Sequence, residues 1–138
     1  GFVKRLSALR RDNKVLRLPR FLHYRHRSAA GKPDVFWRLP DGTVPTREDW
    51  ENPGTKTIGV ELRTSSTTPY NAASDDVIFL VFNNDVDQDV VLPPCALDNT
   101  RDRILITAAP DEGPYCLVGK TVHVSALSVS VFTLAPIL

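Results

Sequence analysis

The residues of this chain that could do chemistry are few and far apart. Asp85, Asp87 and Asp89 alternate as D-x-D-x-D. Alternate acids in a loop can wrap Ca²⁺, but an EF-hand loop also needs Gly at its sixth position and Glu at its twelfth. Val90 and Ala96 stand there, so the triplet reads as a solvated hairpin turn. His23 and His26 are two residues apart, with no cysteine nearby, and His123 is remote, which argues against zinc. Cys95 and Cys116 each follow a proline-containing stretch rather than open a helix, and they read as buried, reduced thiols rather than nucleophiles. The seven glycines are scattered and form no phosphate loop, and no G-x-S-x-G is present. No acid is expected in an apolar setting of the kind that tunes a glycosidase carboxyl. Neither catalytic residues, nor a cofactor site, nor a metal site is therefore expected. What remains is aromatic. Trp37, Trp50, Tyr70 and Tyr115 could act as platforms for the flat apolar faces of sugars.

Both tryptophans lie in one stretch, Val35 to Trp50, so the elements around it must position them. Pro40-Asp41-Gly42 is a turn signal, because Pro fixes φ and Gly accepts positive φ without steric cost. Thr46 followed by Asp49 starts a short helix that closes on Trp50. Val35, Trp37 and Leu39 alternate on a first strand and are expected to face inward, with Phe36 and Arg38 opposite.

Before this stretch, Phe2, Val3, Leu6 and Leu9 form an apolar stripe on a helix expected to stop near Asp12–Lys14, with Val15 to Pro19 extended. Arg20 to Arg27 interleaves aromatic and basic residues and is read as part of a basic linker, 18–33. After Trp50, strand signals dominate: 56–64 with Gly59 marking close packing or a bulge, 77–82 as a fully apolar run, then 89–92, 103–108, 121–124 and 127–134. The fold class is mainly β: an antiparallel β-sandwich of about seven strands over 34–138, preceded by one amphipathic helix in 1–17.

Bulk properties narrow the function. Residues 1–32 carry ten Lys/Arg against one acid, and 33–138 carry seven against fifteen, so a basic arm precedes an acidic domain. Phosphate binding needs a continuous positive field, so no nucleic acid is expected. No apolar run reaches about 18 residues, so no membrane span is expected either. The start, Gly1-Phe-Val-Lys-Arg, has no initiator methionine and no signal-peptide pattern, which leads to the expectation of a piece of a longer, cytoplasmic chain.

Five stretches in order carry a family resemblance. Phe2 to Arg17 is similar to the pattern LIALRR-HPVLR, and Arg20-Phe-Leu-His-Tyr-Arg25 to RRFFQGR. Asp34 to Trp50 resembles DIxWLRPDGxEMTxxDW, the most specific of the five. Ile58-Gly-Val-Glu-Leu62 resembles LGVLL, and Asp76 to Asn83 resembles DDSFLLLFN. These patterns belong to the isoamylase-type glycogen debranching enzymes of the alpha-amylase superfamily. The chain departs from them at Arg38-Leu39, whose order is inverted, at Arg63-Thr64 in place of Asn-Gly, and at Asn84-Asp85, where a histidine is usual.

The resemblance implies a parent that hydrolyses α-1,6 branch linkages with retention, using two Asp and a Glu on barrel loops. None of those motifs lies here. It further implies that 1–17 is the end of the catalytic barrel, with Phe2, Leu6 and Leu9 as the face docking on that barrel, and that 34–138 is a non-catalytic C-terminal domain. The partners would be the barrel of the same chain and α-glucan. A carbohydrate-binding module and a stand-alone protein-interaction sandwich are the competing expectations.

Overall fold

A computed structural model describes residues 1–17, 34–63, 77–93, 99–109, 111, 115–116 and 120–136. The linker 18–33 with His23 and His26, the loop containing Tyr70, and Cys95 lie outside the described residues. The backbone of Tyr115 and Cys116 is described, but their side chains are not.

The elements run α1 (Phe2–Asp12), a 3₁₀ turn (Lys14–Arg17), β1 (Val35–Arg38), α2 (Arg47–Glu51), β2 (Thr57–Arg63), β3 (Val77–Asn83), β4 (Gln88–Val91), β5 (Asn99–Ile106), β6 (Tyr115–Cys116), β7 (Thr121–Val124) and β8 (Ser128–Pro136). Six strands form one antiparallel sheet in the order β1-β2-β3-β8-β5-β6, and β4 pairs with β7 in a second. The antiparallel sandwich expected from the alternating pattern is the fold observed. Its extra strand is the two-residue β6, too short for any periodicity to announce.

Register assigns the two faces of the large sheet. Phe36, Glu61, Phe79 and Phe132 form one cross-strand row, and Arg38, Gly59, Val81 and Ser130 the next. This face looks into the sandwich: Phe79, Val81 and Phe132 share a buried cluster with Val90, Leu92, Val122 and Val124 from the small sheet and its flank. Phe79 and Phe132 lie with ring centroids 6.0 Å apart. The opposite face carries the rows Val35–Leu62–Ile78–Thr133, Trp37–Val60–Leu80–Val131 and Ile58–Phe82–Val129. Against it pack Phe2 and Leu9 of α1 and Val15 and Leu16 of the 3₁₀ turn, gathered on Ile78 and Val131. The molecule therefore has three layers: helix, large sheet, small sheet.

Three local expectations are corrected. Val15 to Arg17 is not extended but part of the 3₁₀ turn, which lets Val15 and Leu16 reach the sheet. Residues 83–88 are not a hairpin: β3 and β4 belong to different sheets, and the segment crosses between them. Trp37 does not face inward. It stands on the outer face, 40% exposed, while Phe36 and Arg38 turn to the sandwich interior. Alternation could not decide this, because both faces of the sheet are covered and both rows need apolar residues.

Helix α1 ends as the sequence suggests, with Asn13 as its C-cap. Asn13 keeps extended backbone (φ −120°) and its side-chain amide donates to Leu9 O at 2.8 Å, in place of a left-handed cap. The face expected at Phe2, Leu6 and Leu9 is divided: Phe2 and Leu9 lie on the sheet, whereas Leu6 and Val3 stay exposed.

Gly59 marks close packing, not a bulge, since the β2–β3 register runs unbroken. A Cβ there would lie 2.5 Å from the Phe79 ring, which is fully buried. Gly59→Ala should destabilise the fold by about 1–3 kcal/mol through overpacking, read as a lowered urea midpoint at unchanged m-value.

Candidate functional site

The Val35–Trp50 stretch is built as its signals suggest. Gly42 has φ +86°, its N–H donates to Leu39 O, and the Leu39 N–H donates to Thr43 O, both at 2.8 Å. Asp41 accepts from the Thr43 hydroxyl at 2.6 Å and the Thr43 N–H at 2.9 Å. Thr46 and Asp49 close a capping box on α2. The turn also reaches the small sheet, where the Val91 N–H donates to Pro40 O. These contacts set Trp50 edge-on to Trp37, with ring centroids 5.4 Å apart and planes at 86°. Trp50 is 53% exposed, so both indoles present surface at the β1 edge of the large sheet.

From that corner a groove of about 610 Å³ runs along the outer face. Its floor is the row Ile58–Phe82–Val129, which α1 leaves uncovered. Phe82 is 42% exposed. Trp50 and Leu127 flank it, and Asp49, Lys56, Asn84 and Thr107 supply polar groups along its sides. Leu127 holds a left-handed conformation at φ 49° that keeps its side chain in solvent. A smaller hollow of about 330 Å³ shares Asp49, Thr55, Lys56 and Thr57 and continues toward Pro40 and Asp41. Phe82 was concealed in the sequence by its neighbours: the run Val77–Phe82 reads as buried throughout, and only its last aromatic is open.

The other candidates fall elsewhere. Tyr115 is on β6, at the opposite edge of the large sheet from β1, so it does not join the tryptophans. Asp85, Asp87 and Asp89 serve the sheet crossing. Asp87 accepts from the Ala126 N–H at 2.6 Å, and His123 stands between Asp87 (3.5 Å) and Asp89 (3.2 Å). Among the described residues no cluster of His, Cys, Asp and Glu could hold a metal ion.

One acid is buried, though between two guanidiniums rather than in an apolar setting. Glu61 is buried on the sandwich face, clasped by Arg38 on one oxygen and by Arg63 Nη2 at 2.6 Å on the other. Arg38 also covers the Phe36 ring at 4.7 Å and donates to Gly42 O at 2.9 Å. The paired guanidiniums offset the cost of burying the carboxylate, and the triad ties the Trp-bearing turn to β2. The signal for it was parity: Glu61 shares its strand face with Thr57 and Gly59.

At the inner end of the groove lies Asn83, buried. Its carbonyl accepts from the Thr57 hydroxyl (2.8 Å), Gln88 Nε2 (3.0 Å) and the Asp85 N–H (3.1 Å). Its amide donates to Val86 O (3.0 Å) and Ser125 O (2.9 Å). Asn83→Ala should cost about 3 kcal/mol by leaving these buried partners unmet, measured by chemical denaturation. The two hydrogen bonds from Thr43 hold the Asp41 carboxyl below the usual value, the hydroxyl contributing most. A depressed folded-state pKa stabilises above the unfolded value, and that stabilisation fades as pH falls through the folded one. Thr43→Val should move the Asp41 titration midpoint upward, as read by carboxyl NMR shifts.

No family model matches the chain. It is 32% identical over 99 residues to the Glycogen operon protein GlgX homolog of Mycobacterium bovis, and to the proteins of that name in two strains of Mycobacterium tuberculosis. The similarity takes in 67% of this chain and 14% of each of those proteins, so the chain spans about one seventh of the length of the GlgX homologues it resembles.

Proposed function

We propose that this chain is the non-catalytic C-terminal β-domain of a glycogen debranching enzyme, and that it stabilises the parent by packing on its catalytic barrel. The observation that carries the reading is the span of the similarity: 67% of this chain but only 14% of the GlgX homologues, the proportion of one domain in a longer enzyme. The motif order through Asp34–Trp50 supports it, since those residues form the turn, capped helix and indole corner around which the domain edge is built.

Four carboxylates among the described residues have structural partners. Glu61 is held by two arginines, Asp49 caps α2, Asp41 holds its turn, and Asp87 pins the sheet crossing. Each serves the fold, whereas a retaining glycosidase needs two carboxyl groups about 5–5.5 Å apart across an open cleft. In this reading α1 is the seam: Phe2 and Leu9 hold the sheet while Val3 and Leu6 face the barrel. A cytoplasmic setting goes with it. No helix among the described residues is long and apolar enough to cross a membrane.

The test compares three proteins on glycogen, following reducing-end release. The isolated chain should release none. The parent carrying it should cleave α-1,6 branches. A parent lacking 34–138 should unfold about 5 °C or more lower. Hydrolysis by the isolated chain, or a parent inert toward α-1,6 linkages, would refute the proposal.

A further inference from the structure

We infer that the groove between Trp50 and Leu127 is a surface binding site for a linear α-glucan chain, separate from any site of hydrolysis. Three observations converge on a neutral polyhydroxylated ligand. First, two exposed aromatics line the groove: Trp50, backed edge-on by Trp37, stands at its side and Phe82 lies on its floor. Pyranose rings expose C–H faces that stack on such surfaces.

Second, the polar groups beside these aromatics are of the kinds that meet sugar hydroxyls. Asp49 and Asn84 can accept, while Lys56, Asn84 and Thr107 can donate. Asp49 and Lys56 are opposite in charge, so the groove favours neither an anion nor a cation. Third, the groove is open, and the smaller hollow shares Asp49, Thr55, Lys56 and Thr57 with it and extends toward Pro40. A volume of about 610 Å³ is within the range of sites that hold small ligands.

The floor is shaped by the fold, not by side chains that happened to be exposed. Helix α1 and the 3₁₀ turn cover the rows through Ile78 and Val131 and stop short of Ile58–Phe82–Val129. Below the floor, the hydrogen bonds of the Asn83 side chain hold the end of β3, so the backbone under the groove is positioned without a ligand. The choice of an α-linked glucan rests on the debranching-enzyme reading; the choice of a sugar rests on the groove alone.

Trp37 and Trp50 are the only tryptophans in the chain, so tryptophan emission reports on this corner directly. Titrating the full chain with maltoheptaose should give a saturable change in emission in the millimolar range. By calorimetry, Trp50→Ala and Phe82→Ser should each weaken binding about tenfold, while the circular dichroism spectrum of each variant remains that of the folded chain even where its unfolding temperature falls. Two results overturn the site: no saturable response to maltoheptaose or to cellohexaose, or binding that both variants leave intact. Cellohexaose binding in preference to maltoheptaose would instead retain a sugar site and refute the α-glucan assignment, together with the reading on which it rests. A chain dimer that buries Trp50 would overturn the inference in favour of self-association. Reducing-end release by the parent is scored separately, so loss of the groove and loss of the debranching reading are told apart.

Discussion

The hydrogen bonds of one buried amide govern how the two sheets meet. Asn83 ends the central strand β3, and the chain must there leave one sheet for the other. A crossing of this kind exposes backbone groups that no ladder satisfies. The Asn83 side chain takes up those of Asp85, Val86 and Ser125 and holds Thr57 and Gln88 besides. Asp87 secures the same crossing through the Ala126 N–H, and the Leu127 N–H donates to Asp85 O. Because Asn83 anchors β2, the crossing and the β7–β8 turn together, the placement of the small sheet, the pairing of β8 and the groove at its end all follow from it.

The large sheet is buried on two sides by unlike layers. The small sheet closes over Phe79, Val81 and Phe132, a conventional sandwich core. The helical layer closes over Ile78 and Val131 and covers only part of the other face. Partial cover is what leaves aromatic surface in water beside rigid backbone. The buried triad of Glu61 with Arg38 and Arg63 stands under the same edge, joining β1 to β2 where, among the described residues, no strand pairs with β1 from outside.

Much of this was legible in the residues. The Pro40-Asp41-Gly42 turn, the Thr46–Asp49 cap, the tight glycine at 59 and the principal strands follow from local chemistry, and local chemistry fixed them. What failed depended on partners distant in sequence. Asn83 to Gln88 has the composition of a hairpin turn, and only the pairing of β4 with β7 makes it a crossing. The facing of Trp37 depended on a helix covering the outer face, which removes the contrast between inside and outside that alternation relies on. Glu61 looked like an ordinary strand acid because its arginines come from another strand and from two residues along. The groove was invisible for the same reason: it is defined by where α1 stops, not by any motif.

The strand order has a consequence for how the chain is made. The last strand, β8, lies between β3 and β5 and joins the β1-β2-β3 half of the sheet to the β5-β6 half. Until β8 has been synthesised, the two halves share no ladder, and Phe79 lacks Phe132. The large sheet can therefore be completed only once β8 has emerged, with β3 a hydrophobic edge until then. A ribosome-bound nascent chain would hold Val77–Phe82 paired on its β2 side alone until β8 emerges. During that interval the open side of β3 is an edge on which another chain can pair.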